Sequence, residues 1–296
     1  MRIGTQTAYI SRYFSDEEAL SVIRKAGFGT VDFSFHEKDI EGEYFDKPEK
    51  EFRQYFHNLK KYADTLDMQI GQTHAPFFWI RRHMEKYDKI MEVQKKCIAA
   101  TAYLGCRYII IHPLNNVERR YENGIEENKE LNRKYYSELI PYLKEYDVYL
   151  AVENMFSVDP DTKLICPTGC SSAEEMADYI DSSGERFVAC LDIGHSNLIH
   201  QKGYEHINTR HMIETLGSRI KTLHIHDNDG KDDQHLPPFI GNIDWTETMG
   251  ALKKIGYSGD ISLEADNFLS VIDRQYVLQA EKMMYACARR LYDMMV

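Results

Sequence analysis

Short β-branched segments alternate with amphipathic segments along the whole of this 296-residue chain. The segments that resemble strands are residues 2–5, 30–35, 69–74, 108–112, 148–153, 187–192, 220–226 and 260–264. The segments with a helical pattern are residues 16–26, 48–66, 84–104, 126–146, 172–182, 204–216, 245–255 and 270–295. Strict alternation predicts parallel strands joined by right-handed crossovers. Eight such units close on themselves, so we predict an α/β fold in the form of a (β/α)8 TIM barrel.

The rival architecture is an open doubly wound sheet. Such a sheet carries a glycine-rich phosphate-binding turn after its first strand, and no such turn follows residues 2–5. The length also favours the barrel, which typically takes about 250 residues. We find no linker, low-complexity tract or second-domain boundary in the sequence. We therefore expect residues 1–296 to form a single TIM-barrel domain.

The charge and the cysteine content narrow the class of partner. The formal net charge is −11, which disfavours a general nucleic-acid or anionic-membrane surface, because such surfaces depend on lysine and arginine. Six cysteines without a CxxC pair indicate reduced thiols rather than a disulfide framework. No apolar run approaches the ~18 residues needed to span a bilayer. These features predict a cytoplasmic protein without a membrane partner, and they disfavour nucleic acid as a partner.

Side chains that can bind a metal end six of the predicted strands. In a TIM barrel the carboxyl ends of all strands meet at one mouth, where the chemistry takes place. His224 and His226 stand two residues apart on one strand, so their side chains point to the same face. The imidazoles and carboxylates placed at this mouth are His74, His112, Glu153, Asp192, His195, His224, His226 and Glu264.

Four of these groups suit a single divalent ion, namely Glu153, Asp192, His224 and Glu264. Three carboxylates and one imidazole form an oxygen-rich site that favours Mn²⁺ or Zn²⁺, with Mg²⁺ and Co²⁺ also suited. Such an ion would polarise the carbonyl of a ketose and acidify the neighbouring C–H. Glu153 and Glu264 could then take and return that proton from opposite faces, through an enediolate. A lone carboxylate at a strand end is usually only solvated, so the hypothesis depends on the four together.

The other polar groups each have two interpretations. His74 and His112, which closely precede prolines, are either wall residues or ligands of the substrate or of a second metal. His195 either caps the following helix or contacts substrate or metal. Asp233 and His235 lie in the loop after the seventh strand, where charged pairs are usually solvated, although a place beside the mouth favours a function. The candidates for substrate binding or a second metal are therefore His74, His112, His195, His226, Asp233 and His235.

At these residues the chain resembles the xylose isomerase-like TIM-barrel superfamily, which contains sugar isomerases and epimerases as well as endonuclease IV. The resemblance covers essentially the whole chain. It implies a shared Glu/Asp/His/Glu metal site on the four residues named above, and a small sugar as the substrate. The motifs concerned are Thr73-His74-Ala75-Pro76, Ile111-His112-Pro113, Val152-Glu153-Asn154, Leu191-Asp192-Ile193-Gly194-His195, Ile220-Lys221-Thr222-Leu223-His224-Ile225-His226-Asp227 and Leu263-Glu264.

The motif on the seventh strand leaves the imidazole ligand open. In many members of the superfamily it reads His-x-Lys-Asp, so His224 matches the ligand and His226 replaces the lysine. Some ketose epimerases place the ligand two residues later, which would give the role to His226. Oligomeric state is open as well, although barrels of this kind often pair into a homo-oligomer.

Two alternative activities follow from the same resemblance. Endonuclease IV binds three zinc ions, so one alternative is a multi-zinc phosphodiesterase or AP endonuclease. Against it, the basic groups at residues 81–83 and 117–120 are too short to form the aromatic and basic cluster that grips a kinked duplex. An inosose-type dehydratase is the other, because an enediolate can also expel a β-hydroxyl. The zinc-ligand types of endonuclease IV are matched here by His74, His112, Glu153, Asp192, His195, His224, Asp233, His235 and Glu264.

Overall fold

The structure is a computed structural model that describes residues 1–35, 43–78, 86–115, 121–200 and 204–296. Its strands are β1 (Ile3–Gln6), β2 (Thr30–Ser34), β3 (Gln69–His74), β4 (Tyr108–Ile110), β5 (Tyr149–Glu153), β6 (Phe156–Val158), β7 (Ile165–Pro167), β8 (Phe187–Asp192), β9 (Ile220–His224) and β10 (Ile261–Leu263). Eight of them lie in the order β10, β1, β2, β3, β4, β5, β8, β9, and every pair of neighbours is parallel. The other two strands, β6 and β7, form a separate antiparallel hairpin.

The barrel closes between β9 and β10. Ile225, just after β9, pairs in parallel with Leu263. Its amide donates to the Ser262 carbonyl at 3.0 Å, and its carbonyl accepts from the Glu264 amide at 3.0 Å. The predicted (β/α)8 TIM barrel is therefore confirmed, and each predicted strand is present with its ends shifted by no more than two residues.

The helices that surround the barrel agree with the predicted pattern in most places. They are α1 (Asp16–Ala26), α2 (Glu43–Asp46), α3 (Glu49–Thr65), α4 (Tyr87–Tyr103), α5 (Ile125–Glu145), α6 (Ala173–Ser183), α7 (Ile193–Ile199), α8 (Thr209–Leu216), α9 (Trp245–Lys254) and α10 (Val277–Met295). The helix predicted at residues 84–104 is α4, and residues 84 and 85 lie outside the described part. Within the described ranges, no helix has the length and apolar character needed to cross a bilayer.

Several elements differ from the prediction. Helix α8 begins five residues later than expected, at Thr209, because the Asn208 side chain caps it by accepting from the His211 amide at 2.9 Å. Helix α10 begins at Val277 rather than at residue 270, because two short 3-10 turns precede it. Helices α2 and α7 and the β6–β7 hairpin are absent from the prediction, since each is too short to show a periodic pattern.

Alternate residues of β2 divide between the two faces of the barrel wall. Phe33 points outward, and its ring centroid lies 6.3 Å from that of Phe56 on α3. Asp32 points inward, where its carboxylate lies 3.0 Å from the Nε2 atom of His224. The outer face therefore packs on the helices as an apolar core, while the inner face carries polar side chains that support the barrel mouth.

Candidate metal centre

Four ionisable side chains meet where the barrel strands end. Glu153, Asp192 and His224 are the last residues of β5, β8 and β9, and Glu264 directly follows β10. All four are buried. One ligand atom from each lies within 4.8 Å of the others. The structure therefore brings together the four residues, hereafter the tetrad, that the sequence predicts as ligands of one ion.

The Nδ1 atom of His224 lies among the three carboxylates of the tetrad. It is 3.2 Å from Oε1 of Glu153 and 3.1 Å from Oε2 of Glu264. Oδ2 of Asp192 is 4.0 Å away. One imidazole nitrogen and three carboxylate oxygens thus converge on a single point.

The tetrad fits a divalent cation. His224 Nδ1 and Asp192 Oδ2 are buried and have no hydrogen-bond partner among the described residues. Buried polar atoms without a partner are costly, and three neighbouring carboxylates repel one another, so a cation is the group that would satisfy both demands. An oxygen-rich set with one imidazole suits Mn²⁺, Zn²⁺, Mg²⁺ or Co²⁺.

The surrounding histidines lower the pKa of two carboxylates of the tetrad, Glu153 and Asp192. Burial alone would raise the pKa of Glu153, but the imidazoles of His224 and His112 hold it well below its usual value. Burial alone would also raise the pKa of Asp192, but the imidazoles of His195 and His226 lower it below its usual value. Ionised carboxylates are the form that binds a metal.

Three histidines at the mouth each direct one ring nitrogen to a backbone carbonyl. A carbonyl only accepts, so Nδ1 carries a proton in each ring. The three contacts are His74 Nδ1 to Ala75 O at 2.8 Å, His195 Nδ1 to Asn154 O at 2.8 Å and His235 Nδ1 to Glu264 O at 2.6 Å. The backbone therefore orients each ring, with Nε2 on the side of the imidazole away from the carbonyl.

A second cluster lies beside the tetrad and consists of His195, His226, Asp233 and His235. His235 Nε2 is 3.0 Å from Oδ2 of Asp233, and the rings of His226 and His235 stack with centroids 4.0 Å apart. Burial would lower the pKa of His235, but Asp233 raises it to about 10. His235 also has a positive φ of 46°, an unfavourable conformation for a residue other than glycine, of the kind that is concentrated at functional sites.

A third cluster consists of His74, His112 and Glu153. The Nε2 atoms of the two histidines are 3.1 Å apart. His112 Nε2 lies 3.0 Å from Oε2 of Glu153, whose other oxygen faces His224 in the tetrad. Glu153 therefore belongs to two clusters and uses a different oxygen in each.

Asn154, the residue after Glu153, holds the ends of β5 and β8 together. Its side-chain oxygen accepts from the Asp192 amide at 2.7 Å, and its side-chain nitrogen donates to the Asp192 carbonyl at 2.8 Å. Its own carbonyl accepts from His195. Sequence reasoning includes Asn154 only as part of a motif, because its role depends on two strands lying side by side.

A cavity of about 300 Å³ opens above the three clusters. Phe77 stacks on His112, with ring centroids 5.4 Å apart, and Phe156 of the hairpin contacts His195 at 5.0 Å. The described residues that line the cavity include neither lysine nor arginine. Lining residues that sequence reasoning does not select are Gln6, Tyr9, Asn115, Met155, Phe156 and Asn267. Among these six residues, only Gln6 could have been selected from the sequence, because it is a polar residue at the end of a strand, β1.

Residues 20–285 match the sequence profile of the xylose isomerase-like TIM-barrel family. The chain belongs to this family. The predicted relationship is therefore confirmed. A relative in Methanocaldococcus jannaschii, the uncharacterised protein MJ1311, is 27% identical over 224 residues, which are 75% of this chain and 72% of that protein.

Solved structures share the fold of this member of the xylose isomerase-like family over nearly its whole length. A D-tagatose 3-epimerase-like protein is 21% identical with a TM-score of 0.71, and 100% of both chains is covered. A D-psicose 3-epimerase determined in the presence of D-fructose is 13% identical with a TM-score of 0.70, covering 98% of this chain and 99% of that one. At these identities the similarity establishes the fold.

The metal affinity of the tetrad is expected to rise with pH. Burial alone would lower the pKa of His224, but Cys190 and the carboxylates of Glu264 and Glu153 raise it well above its usual value. A bound metal must displace this proton, so affinity falls as the pH drops below the raised pKa, by up to about tenfold per pH unit for one proton. Titration of metal-free protein with Mn²⁺ between about pH 6 and 8 measures this slope. A dissociation constant that does not change over this range would contradict it.

Proposed function

We propose that the protein is a divalent-metal-dependent sugar isomerase or epimerase that acts on a ketose or a related polyol ketone. The observation behind the proposal is the tetrad, in which Glu153 and Glu264 lie 3.2 and 3.1 Å from the same nitrogen of His224. The cavity above it has the size of a small-molecule site. Solved structures with this fold include sugar 3-epimerases, by their names, which supports a sugar as the substrate.

The tetrad would hold the ion, which when bound would polarise the ketose carbonyl and acidify the adjacent C–H. Glu153 and Glu264 supply two carboxylates for the proton transfer. One removes the proton from carbon to give an enediolate, and the other returns a proton. Return to the opposite face of the same carbon gives an epimer, and return to the neighbouring carbon gives an isomer.

The cavity wall suits an uncharged polyol. Phe77 and Phe156 offer apolar ring surface to the C–H faces of a sugar. Gln6, Asn115 and Asn267 offer amide groups that both donate and accept hydrogen bonds to hydroxyls. These rings and amides match the C–H groups and hydroxyls of a free sugar.

Solvent deuterium exchange tests the proposal. Metal-loaded protein is incubated in D₂O with a panel of ketoses and polyol ketones, and the carbon next to the carbonyl is followed by NMR. We expect deuterium to enter that carbon in at least one compound, because the proton removed by a carboxylate exchanges with solvent before it is returned. If no compound takes up deuterium from protein with a filled metal site, the proposal is wrong. A dehydratase would appear in the same spectra as loss of a β-hydroxyl.

A multi-zinc phosphodiesterase or AP endonuclease is the second candidate. The observation that favours it is the pair of further clusters beside the tetrad, one containing Asp233 and His235 and the other His74 and His112. Neighbouring metal ions can clamp the attacking and leaving oxygens of a phosphodiester. This candidate predicts nicking of a duplex that contains an abasic site, and loss of nicking in His74→Ala and His235→Ala.

A further inference from the structure

Asp32 lies inside the barrel, directly below the tetrad. It is in the middle of β2 and is 1% exposed. Its Oδ2 atom lies 3.0 Å from Nε2 of His224, which is fully buried. The contact joins two strands, β2 and β9, that are not neighbours in the barrel.

A second donor shows that this oxygen of Asp32 is an acceptor. Gln72 Nε2 donates to the same Oδ2 atom at 2.8 Å and also approaches the Leu223 carbonyl at 3.2 Å. Two N–H groups therefore converge on one carboxylate oxygen. Nε2 of His224 must carry a proton to take part, so its Nδ1 is the nitrogen that remains to bind a metal.

No comparable hydrogen bond from a described residue orients the ring of His226. Neither of its ring nitrogens has a hydrogen-bond partner among the described residues. Its Nε2 atom faces Asp192 Oδ1 at 3.1 Å, and its ring stacks on His235. The contact with Asp192 is not a hydrogen bond and fixes no tautomer of His226, whereas the hydrogen bond to Asp32 fixes that of His224.

We infer that Asp32 is a positioning residue that makes His224 the imidazole ligand of the tetrad, by holding its Nε2–H and turning Nδ1 toward the three carboxylates. The inference rests on the proposed metal-dependent function, and it decides between the two histidines that the sequence leaves open. Hydrogen-bonded partners of this kind orient metal-binding imidazoles and increase their basicity.

The test compares metal affinity in Asp32→Ala, Asp32→Asn and a matched control. Thr222→Val is the control, because Thr222 is also a buried polar residue, two positions before His224 on β9. Titration with Mn²⁺ and with Zn²⁺ should show a dissociation constant raised about 10- to 100-fold in Asp32→Ala. Asp32→Asn, whose amide oxygen can still accept, should show a smaller rise, and Thr222→Val should stay close to wild type.

NMR of metal-free protein labelled with [¹⁵N]histidine gives a second readout. The wild type should show a slowly exchanging Nε2–H proton, assigned to His224 by its loss in His224→Asn, and Asp32→Ala should lose it while the other resonances remain. If Asp32→Ala does not fold, Asp32→Leu, which is close to aspartate in size but cannot accept a hydrogen bond, replaces it in both measurements. Unchanged affinity together with a retained proton signal would overturn the inference, as would an equal loss of affinity in Thr222→Val.

The two proposals fail in distinguishable ways. If wild-type protein binds neither Mn²⁺ nor Zn²⁺, the proposed function fails, while the proton signal still decides whether Asp32 holds His224. If wild type binds metal and the Asp32 variants bind it equally well, only the assignment of Asp32 is overturned.

Discussion

Substitution of Glu153 by glutamine is expected to slow proton exchange by about 10²- to 10⁴-fold, the usual contribution of a general base, and to weaken metal binding. Each carboxylate oxygen of Glu153 faces an imidazole, Oε1 at 3.2 Å from His224 Nδ1 and Oε2 at 3.0 Å from His112 Nε2. Glutamine keeps the shape but offers one acceptor instead of two, carries no charge and cannot take the proton. Deuterium incorporation into a compound that the wild type exchanges measures the rate of proton exchange, and titration with Mn²⁺ measures the metal affinity.

Glu281→Gln is the matched control for that substitution. Glu281 is fully buried on α10, and neither of its carboxylate oxygens has a hydrogen-bond partner among the described residues. Burial raises its pKa well above the usual value, so the site favours the uncharged form and a neutral amide is a mild replacement there. We expect wild-type exchange and metal affinity in Glu281→Gln. Exchange in Glu153→Gln within a few-fold of wild type would contradict the role of Glu153.

The barrel and the tetrad could be predicted because both follow from topology. Alternating strands and helices predict a closed parallel sheet. Closure then places the ends of distant strands together, so Glu153 and Glu264 lie within reach of one ion although they are far apart in sequence. Local sequence patterns sufficed for this step because each residue concerned ends an apolar strand.

The contact of Asp32 with His224, beneath the tetrad, could not be predicted in the same way. Asp32 lies in the middle of a strand, and its partner His224 is 192 residues away. Finding that pair requires the tilt and register of the closed barrel, which periodicity does not contain. The β6–β7 hairpin has strands of only three residues, too short for a pattern, so the sequence does not identify Phe156 as part of the cavity wall.

The tautomers of the histidines are even harder to predict from the sequence. Those of His74, His195 and His235 depend on which backbone carbonyl lies within hydrogen-bond distance of Nδ1. Such contacts are set by loop conformation at the barrel mouth, including the positive φ of His235. The residue types of the candidate metal site were therefore predictable from the sequence, but the orientation of their ring nitrogens was not.

Elemental analysis of the purified protein is expected to give about one divalent metal ion per chain, lost in Glu264→Gln and retained in His235→Ala. Within the tetrad, only His224 offsets three carboxylates, so the need for a cation is greatest there. Asp233 Oδ2 and His235 Nε2 instead form an ion pair at 3.0 Å, which neutralises the Asp233 charge and lowers the need for a metal there. Thr222→Val, which leaves every cluster intact, should retain the wild-type content.

Two or three zinc ions per chain would contradict this expectation. Glu153 faces His224 with one oxygen and His112 with the other, so it could contribute a ligand both to the tetrad and to the third cluster. Metal lost from both Glu264→Gln and His235→Ala would show that the neighbouring clusters are occupied together. Phosphodiester cleavage would then be favoured over sugar isomerisation, because adjacent ions stabilise the attacking and leaving oxygens of an in-line displacement.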